Sequence, residues 1–287
     1  MKKLIVIGLS LLIGACTMFQ SEQQVQDKQR MYQFMYCSAV HEQLGDIAAQ
    51  ENKIKPSQFT QEDMLNWYNI SGSEAQYAMH MYYKLNLEHP MDIAKYNALY
   101  EKTKKIMTLP GLADMMGVGD AITQAHKDVG SVLAKTGTAG ILDEVNYDLI
   151  NSKLDGKCME AYSDYTNDMS LLMSLSPEAT VAARTAGSCL GVTDALSYIS
   201  VSQGRPALAK AMAFHSGIMS TFLYAYINDE NAEDAYDRIT TKSDAIYNGM
   251  MSNKDLVKEV GDCQTVYSVA NQYTIANVLA QPRNNAQ

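Results

Sequence analysis

The stretch CSAVHEQLGDI (Cys37–Ile47) returns later in the chain as CLGVTDALSYI (Cys189–Ile199). In each, a cysteine is followed by Val, Leu and Ile at the same offsets: Val40, Leu44 and Ile47 in the first, Val192, Leu196 and Ile199 in the second. Spacings of three and four residues place such side chains on one face of an α-helix. Another cysteine-led pair lies further on. CMEAYS at Cys158 and CQTVYS at Cys263 share a C-x-x-[AV]-Y-S pattern. Between these anchors two more segments match in the same order. Tyr82 to Asn86 resembles Tyr224 to Asn228, and Tyr96, Lys102, Thr103 and Ile106 match Tyr236, Lys242, Ser243 and Ile246.

Runs of strict alternation are scarce, so the expected fold is all-α. The matches predict two tandem, duplicated four-helix units packed into one helical body, at about 23–172 and 173–281, followed by a disordered tail at 282–287. Helix-start signals accompany them. Ser73-Glu74-Ala75-Gln76 reads as a capping box, and Ser176-Pro177-Glu178 puts a cap, a proline and an acid in order. Asn231 with Asp234, and Asn253, read as further caps. The first unit is longer than the second. Its excess falls at about 109–143 and contains six glycines. This insert reads either as the place where function sits or as an extra helical hairpin capping the bundle.

The chain has 287 residues and a net charge of −9, which argues against nucleic acid as a partner because phosphate binding needs a basic face. It carries five cysteines. The first stands at the end of a basic start, Met1-Lys2-Lys3, and an apolar run from Leu4 to Ile13 that is too short to span a bilayer. Leu12-Ile13-Gly14-Ala15-Cys16 resembles the lipobox of bacterial lipoproteins. The resemblance implies a signal peptide at 1–15, cleavage before Cys16, and acyl chains on its sulfur and amino group. Each buried CH2 of those chains adds ~0.8 kcal/mol of membrane binding. Thr17, in place of Asp, points by the same resemblance to the outer membrane. Residues 16–22 then form the lipidated cysteine and a tether, whose six residues after Cys16 reach at most ~20 Å.

With Cys16 assigned to lipid, Cys37, Cys158, Cys189 and Cys263 remain, an even number in an oxidising compartment. Four cysteines allow three pairings. The repeat selects Cys37 with Cys158 and Cys189 with Cys263, each tying the first helix of a unit to its last.

Catalytic and ligand motifs are few. Gly130 to Thr136 lacks the glycines of a phosphate loop, Lys135-Thr136-Gly137 has no accompanying S-x-x-K, and His41-Glu42 is followed by Gly45 where a zinc protease needs histidine. Methionine is abundant, with 18 residues. Met79-His80-Met81, His89 with Met91, and Met212, His215 and Met219 combine thioether and imidazole, a donor set suited to Cu(I). Tyrosine is as frequent, and Trp67, Tyr68, Tyr82 and Tyr83 offer ring surface of the kind that binds partners at low entropic cost. The expectation is a lipid-anchored envelope protein that is not an enzyme. It acts by binding another envelope protein or supporting an assembly, with no cofactor beyond its covalent lipid. Periplasmic copper binding or delivery is the alternative, and an envelope hydrolase a second one.

Overall fold

The computed structural model describes residues 2–54, 60–86, 98, 108–135, 154, 158, 179–227 and 230–263. The Ser176-Pro177-Glu178 start, His89, Met91, residues 136–143 of the insert, the Tyr96–Ile106 match and the 282–287 tail lie outside them. Among the described residues there is no strand. The helices are α1 (Lys2–Ile54), α2 (Gln61–Asn86), α3 (Leu109–Met116), α4 (Gly119–Lys135), α5 (Ala179–Ser202), α6 (Pro206–Tyr226) and α7 (Ala232–Tyr247), followed by α8 at 253–263. None is long and apolar enough to cross a membrane. Residues 17–22, read as a tether, are part of α1. As helix, those six residues span about 9 Å.

Neighbouring helices pack in the order α4, α1, α2, α6, α5, α7. One apolar core crosses both halves of the chain. It joins Phe34, Met35 and Leu44 of α1 to Tyr77, Met79 and Tyr83 of α2, Ile218 and Leu223 of α6, and Ala186 and Cys189 of α5. The body is therefore continuous. Both expected disulfides are present, Cys37–Cys158 with Cα atoms 5.7 Å apart and Cys189–Cys263 with 5.5 Å.

The helix starts differ in part from the sequence expectation. The capping box of α2 is Thr60 with Asp63: Thr60 N–H and Oγ1 both donate to Asp63 Oδ2, and Asp63 N–H donates back to Thr60 Oγ1. Ser73, Glu74 and Gln76 instead lie mid-helix and buried. A cap motif in sequence carries no mark of where the helix begins, and the apolar residues Met64, Leu65 and Trp67 already extend α2 upstream. Asn231 stands at the start of α7, with Glu233 and Asp234 in its first turn, but makes no side-chain cap hydrogen bond there. Before α8 the capping pair is Ser252 with Asp255, one residue ahead of the expected Asn253.

The first part of the insert is a helical hairpin. Gly117, with φ of 71°, ends α3, and Val118 N–H donates to the Ala113 carbonyl 2.9 Å away. This is a left-handed helix end that glycine adopts without strain. Leu109, Leu112, Met116, Ala125 and Val129 then enter the main core, and Tyr36 of α1 donates to Asp128 of α4 at 2.9 Å. In the described residues the insert packs as a helical hairpin against α1 and the main core.

The helices α2 and α6 meet on small residues. A Cβ added at Gly72 would fall on the Phe214 carbonyl oxygen, and one at Gly217 on the Asn69 carbonyl oxygen. With no side chain between them the backbones approach closely. Ser73 Oγ then donates across the joint to the Gly217 carbonyl at 2.8 Å.

Candidate functional site

The aromatic residues expected to form a binding surface are in the core instead. Trp67 is 7 % exposed, Tyr68 4 % and Tyr83 not at all. Trp67 stacks on the His41 ring, with centroids 5.5 Å apart. Tyr68 donates to Asp46 Oδ1 at 2.9 Å, and burial, followed by the Asp46 charge, pushes its phenol far above the ordinary value. Lys210 Nζ lies 5.3 Å from the Tyr68 ring centroid and bonds both Asp46 oxygens at 2.8 Å. Tyr82 is half-buried with its ring edge-on to Tyr83. These rings hold α1, α2 and α6 together. Ring count says nothing of burial, because several helices bury α2 from different sides.

The methionine–histidine sets are also packed inside. Met79, Met81 and Met219 are buried, and Met212 and His215 half-buried. The His80 Nε2 stands 2.8 Å from the Gln76 amide nitrogen. Burial lowers the His215 imidazole below its ordinary value. His215 adjoins Phe214, which sits at the α2–α6 contact, whereas His80 is eight residues beyond Gly72, about 12 Å along α2. The two histidines therefore occupy different levels of the helix pair.

What the structure does assemble at its surface is a polar cleft of about 340 Å³ where α2, α5 and α6 meet. Its walls are Glu62, Asp63, Asn66 and Asn69 from α2 and Asp194 and Tyr198 from α5, with Leu65 and Ala213 as the apolar part. The geometry follows from helical spacing. Glu62, Asn66 and Asn69 fall on one α2 face, and Asp194 and Tyr198 are one turn apart on α5. The small Ala213 of α6 leaves the space between them open.

Among the described residues, three carboxylates and no lysine or arginine line this cleft. Asp63 is engaged in the α2 cap. Asp194 is half-buried, and burial, then the Glu62 charge, raises its acid above the ordinary carboxylate value. Burial and then the charges of Asp194 and Glu62 raise the Tyr198 phenol. Tyr247 of α7 is held up to about 12 by burial first, then by Asp194 and Tyr198. Among the described residues the lining is thus electronegative, with no cation in it. It can accept hydrogen bonds from an ammonium or guanidinium group. Its described lining contains no serine, cysteine or histidine.

None of Glu62, Asn66, Asn69, Asp194 and Tyr198 stood out in the sequence. The available signal was Asp194, a charge set among Val192, Ala195 and Leu196 on a core-facing helix. No protein-family model, curated protein or solved structure matches this chain.

Proposed function

We propose that the chain is a lipid-anchored protein of the bacterial envelope, attached through Cys16 at the outer membrane, that binds a basic group of an envelope partner and performs no chemistry of its own. The observation that carries this reading is the electronegative cleft, in which Glu62 and the half-buried Asp194 face open space beside Tyr198. Partly desolvated charges gain more from an incoming cation than fully hydrated ones. The two disulfides support an oxidising compartment, and the lipobox supports the anchor. The duplicated architecture belongs to the same reading. Its support is the order of the sequence matches and the same first-to-last pairing of cysteines in each half.

Zero-length carboxylate-to-amine cross-linking in intact cells, followed by capture and mass spectrometry, tests the proposal. One envelope protein should be captured, through Glu62 or Asp194, and lost with Cys16→Ala. The double variant Glu62→Gln, Asp194→Asn should bind the purified partner at least tenfold more weakly, about 1.4 kcal/mol. The pH sign follows from the raised acid of Asp194, which faces Glu62, Tyr198 and Tyr247. On acidification Asp194 takes up its proton before an ordinary aspartate does, so binding should weaken from that higher pH downward. Asp194→Asn should remove that limb. Capture that ignores both cleft substitutions would sink the cleft assignment.

A further inference from the structure

Among the described residues, a buried group of potential ligand atoms lies at the first disulfide. One ligand atom each from Cys37, Cys158 and Glu74 lies within 4.8 Å of the others, and all three residues are buried. His41 Nδ1 stands 2.7 Å from Glu74 Oε2. The imidazole is itself fixed from the other side by its stack on Trp67. While the sulfurs are joined they are not thiolates, and the group cannot act as a metal site.

We propose that, once this disulfide is reduced, Cys37, Cys158 and Glu74 bind a borderline-soft divalent cation of the Zn2+ class, with His41 as the positioning residue that holds the carboxylate. Two thiolates and a carboxylate form a donor set that zinc accepts, with metal–sulfur distances near ~2.3 Å. Cα atoms 5.7 Å apart leave two cysteine side chains within reach of one such ion. A hydrogen-bonded partner behind a ligating group is the arrangement that orients ligands and raises their affinity. The charges also fit, since two thiolates and one carboxylate would otherwise repel each other in a buried space.

The balance is as follows. A dithiol or phosphine reductant supplies two electrons and the medium two protons, the S–S bond breaks, and two thiols form. The reductant leaves as its disulfide or, with water, its oxide. Cation binding then displaces both thiol protons to solvent. A bound cation favours the reduced form by mass action, so reoxidation should slow as its concentration rises.

The second disulfide is the internal control. Among the described residues no set of three ligands includes Cys189 or Cys263. Thr193 and Ser216 lie nearby on α5 and α6, their hydroxyls 2.9 Å apart. They do not supply a carboxylate or imidazole. This inference does not depend on the cleft.

The test uses the full chain in detergent, reduced with a phosphine and titrated with Cd2+, whose thiolate complexes absorb in the ultraviolet, while circular dichroism follows helicity. The folded, reduced chain should bind one ion with that absorption, and the oxidised chain none. Glu74→Gln should weaken binding by tenfold or more. The pair Cys189→Ser, Cys263→Ser should leave the affinity unchanged, which keeps the proposal testable even if Glu74→Gln does not fold. Zn2+ should displace Cd2+ and slow reoxidation of wild type. Absence of the band would overturn the proposal. So would binding indifferent to Glu74, the behaviour of thiols in an unfolded chain, or binding lost with the Cys189–Cys263 pair.

Discussion

The hairpins α1–α2 and α5–α6 solve one packing problem with different chemistry. In the first, His41 stands four residues after Cys37 and Glu74 eight before Tyr82; in the second, Thr193 stands four after Cys189 and Ser216 eight before Tyr224. These corresponding positions meet in both. His41 and Glu74 are 2.7 Å apart, and Ser216 Oγ donates to Thr193 Oγ1 at 2.9 Å. A disulfide starts one turn earlier in each case. The geometry is shared, but the first pair is ionisable and the second is two neutral hydroxyls. A buried hydroxyl pair costs little to desolvate, whereas a buried carboxylate needs a specific partner. The first hairpin therefore concentrates the more demanding interactions, and the second is more tolerant of change.

The largest expected effect concerns the disulfides. Each closes a long loop, of sequence separation 121 for Cys37–Cys158 and 74 for Cys189–Cys263. Chain entropy alone assigns them about 4.9 and 4.4 kcal/mol. Replacing Cys37 and Cys158 by serine should lower stability more than the same change at Cys189 and Cys263, because it also disturbs the His41–Glu74 neighbourhood. Urea denaturation of both double variants measures the gap. A greater loss at the second pair would break the asymmetry.

Next comes the polar pair. His41→Ala removes the imidazole from a carboxylate whose side chain is 4 % exposed. That should cost about 3 kcal/mol, the upper end for a hydrogen bond to a charged group. Thr193→Ala removes only a hydroxyl bond, worth about 1 kcal/mol. The variant His41→Thr, Glu74→Ser writes the second hairpin's pair into the first. It should unfold at higher urea than His41→Ala, since the buried carboxylate is removed together with the imidazole. Equal losses at the two sites would show that the ionisable pair carries no special weight.

A smaller effect than the loss of His41 probes the joint between the hairpins. Gly72→Ala and Gly217→Ala each force α2 and α6 apart and should cost about 2 kcal/mol in thermal unfolding. Gly130→Ala, where a Cβ meets nothing within 4 Å, should instead gain about 0.5 to 1 kcal/mol of helix propensity.

Much of this architecture was legible in the residues. The Val, Leu and Ile stripes after Cys37 and Cys189 predicted helices, and the ordered matches selected the disulfide pairing that the structure contains. The roles of Trp67, Tyr68 and Tyr83 were not legible. Nothing local distinguishes a tyrosine on a helix covered by one neighbour from one covered by three. The Ser73–Gln76 motif misled for a related reason. Ser73 and Glu74 bond other helices, through Gly217 and His41, and Gln76 bonds His80 within α2; none of them caps the helix start. The cleft was least visible of all, since its residues come from α2, α5 and α6.

By itself the sequence determined the helical class, the cysteine partners and the lipobox resemblance, because each is encoded in spacing along one chain. Only the tertiary structure decided which polar residues are buried, that α2 and α6 touch through Gly72 and Gly217, and that Glu74 stands beside a disulfide. Those outcomes depend on how helices distant in sequence cross. Crossing is set by the joint packing of all faces at once, which no single helix's periodicity contains.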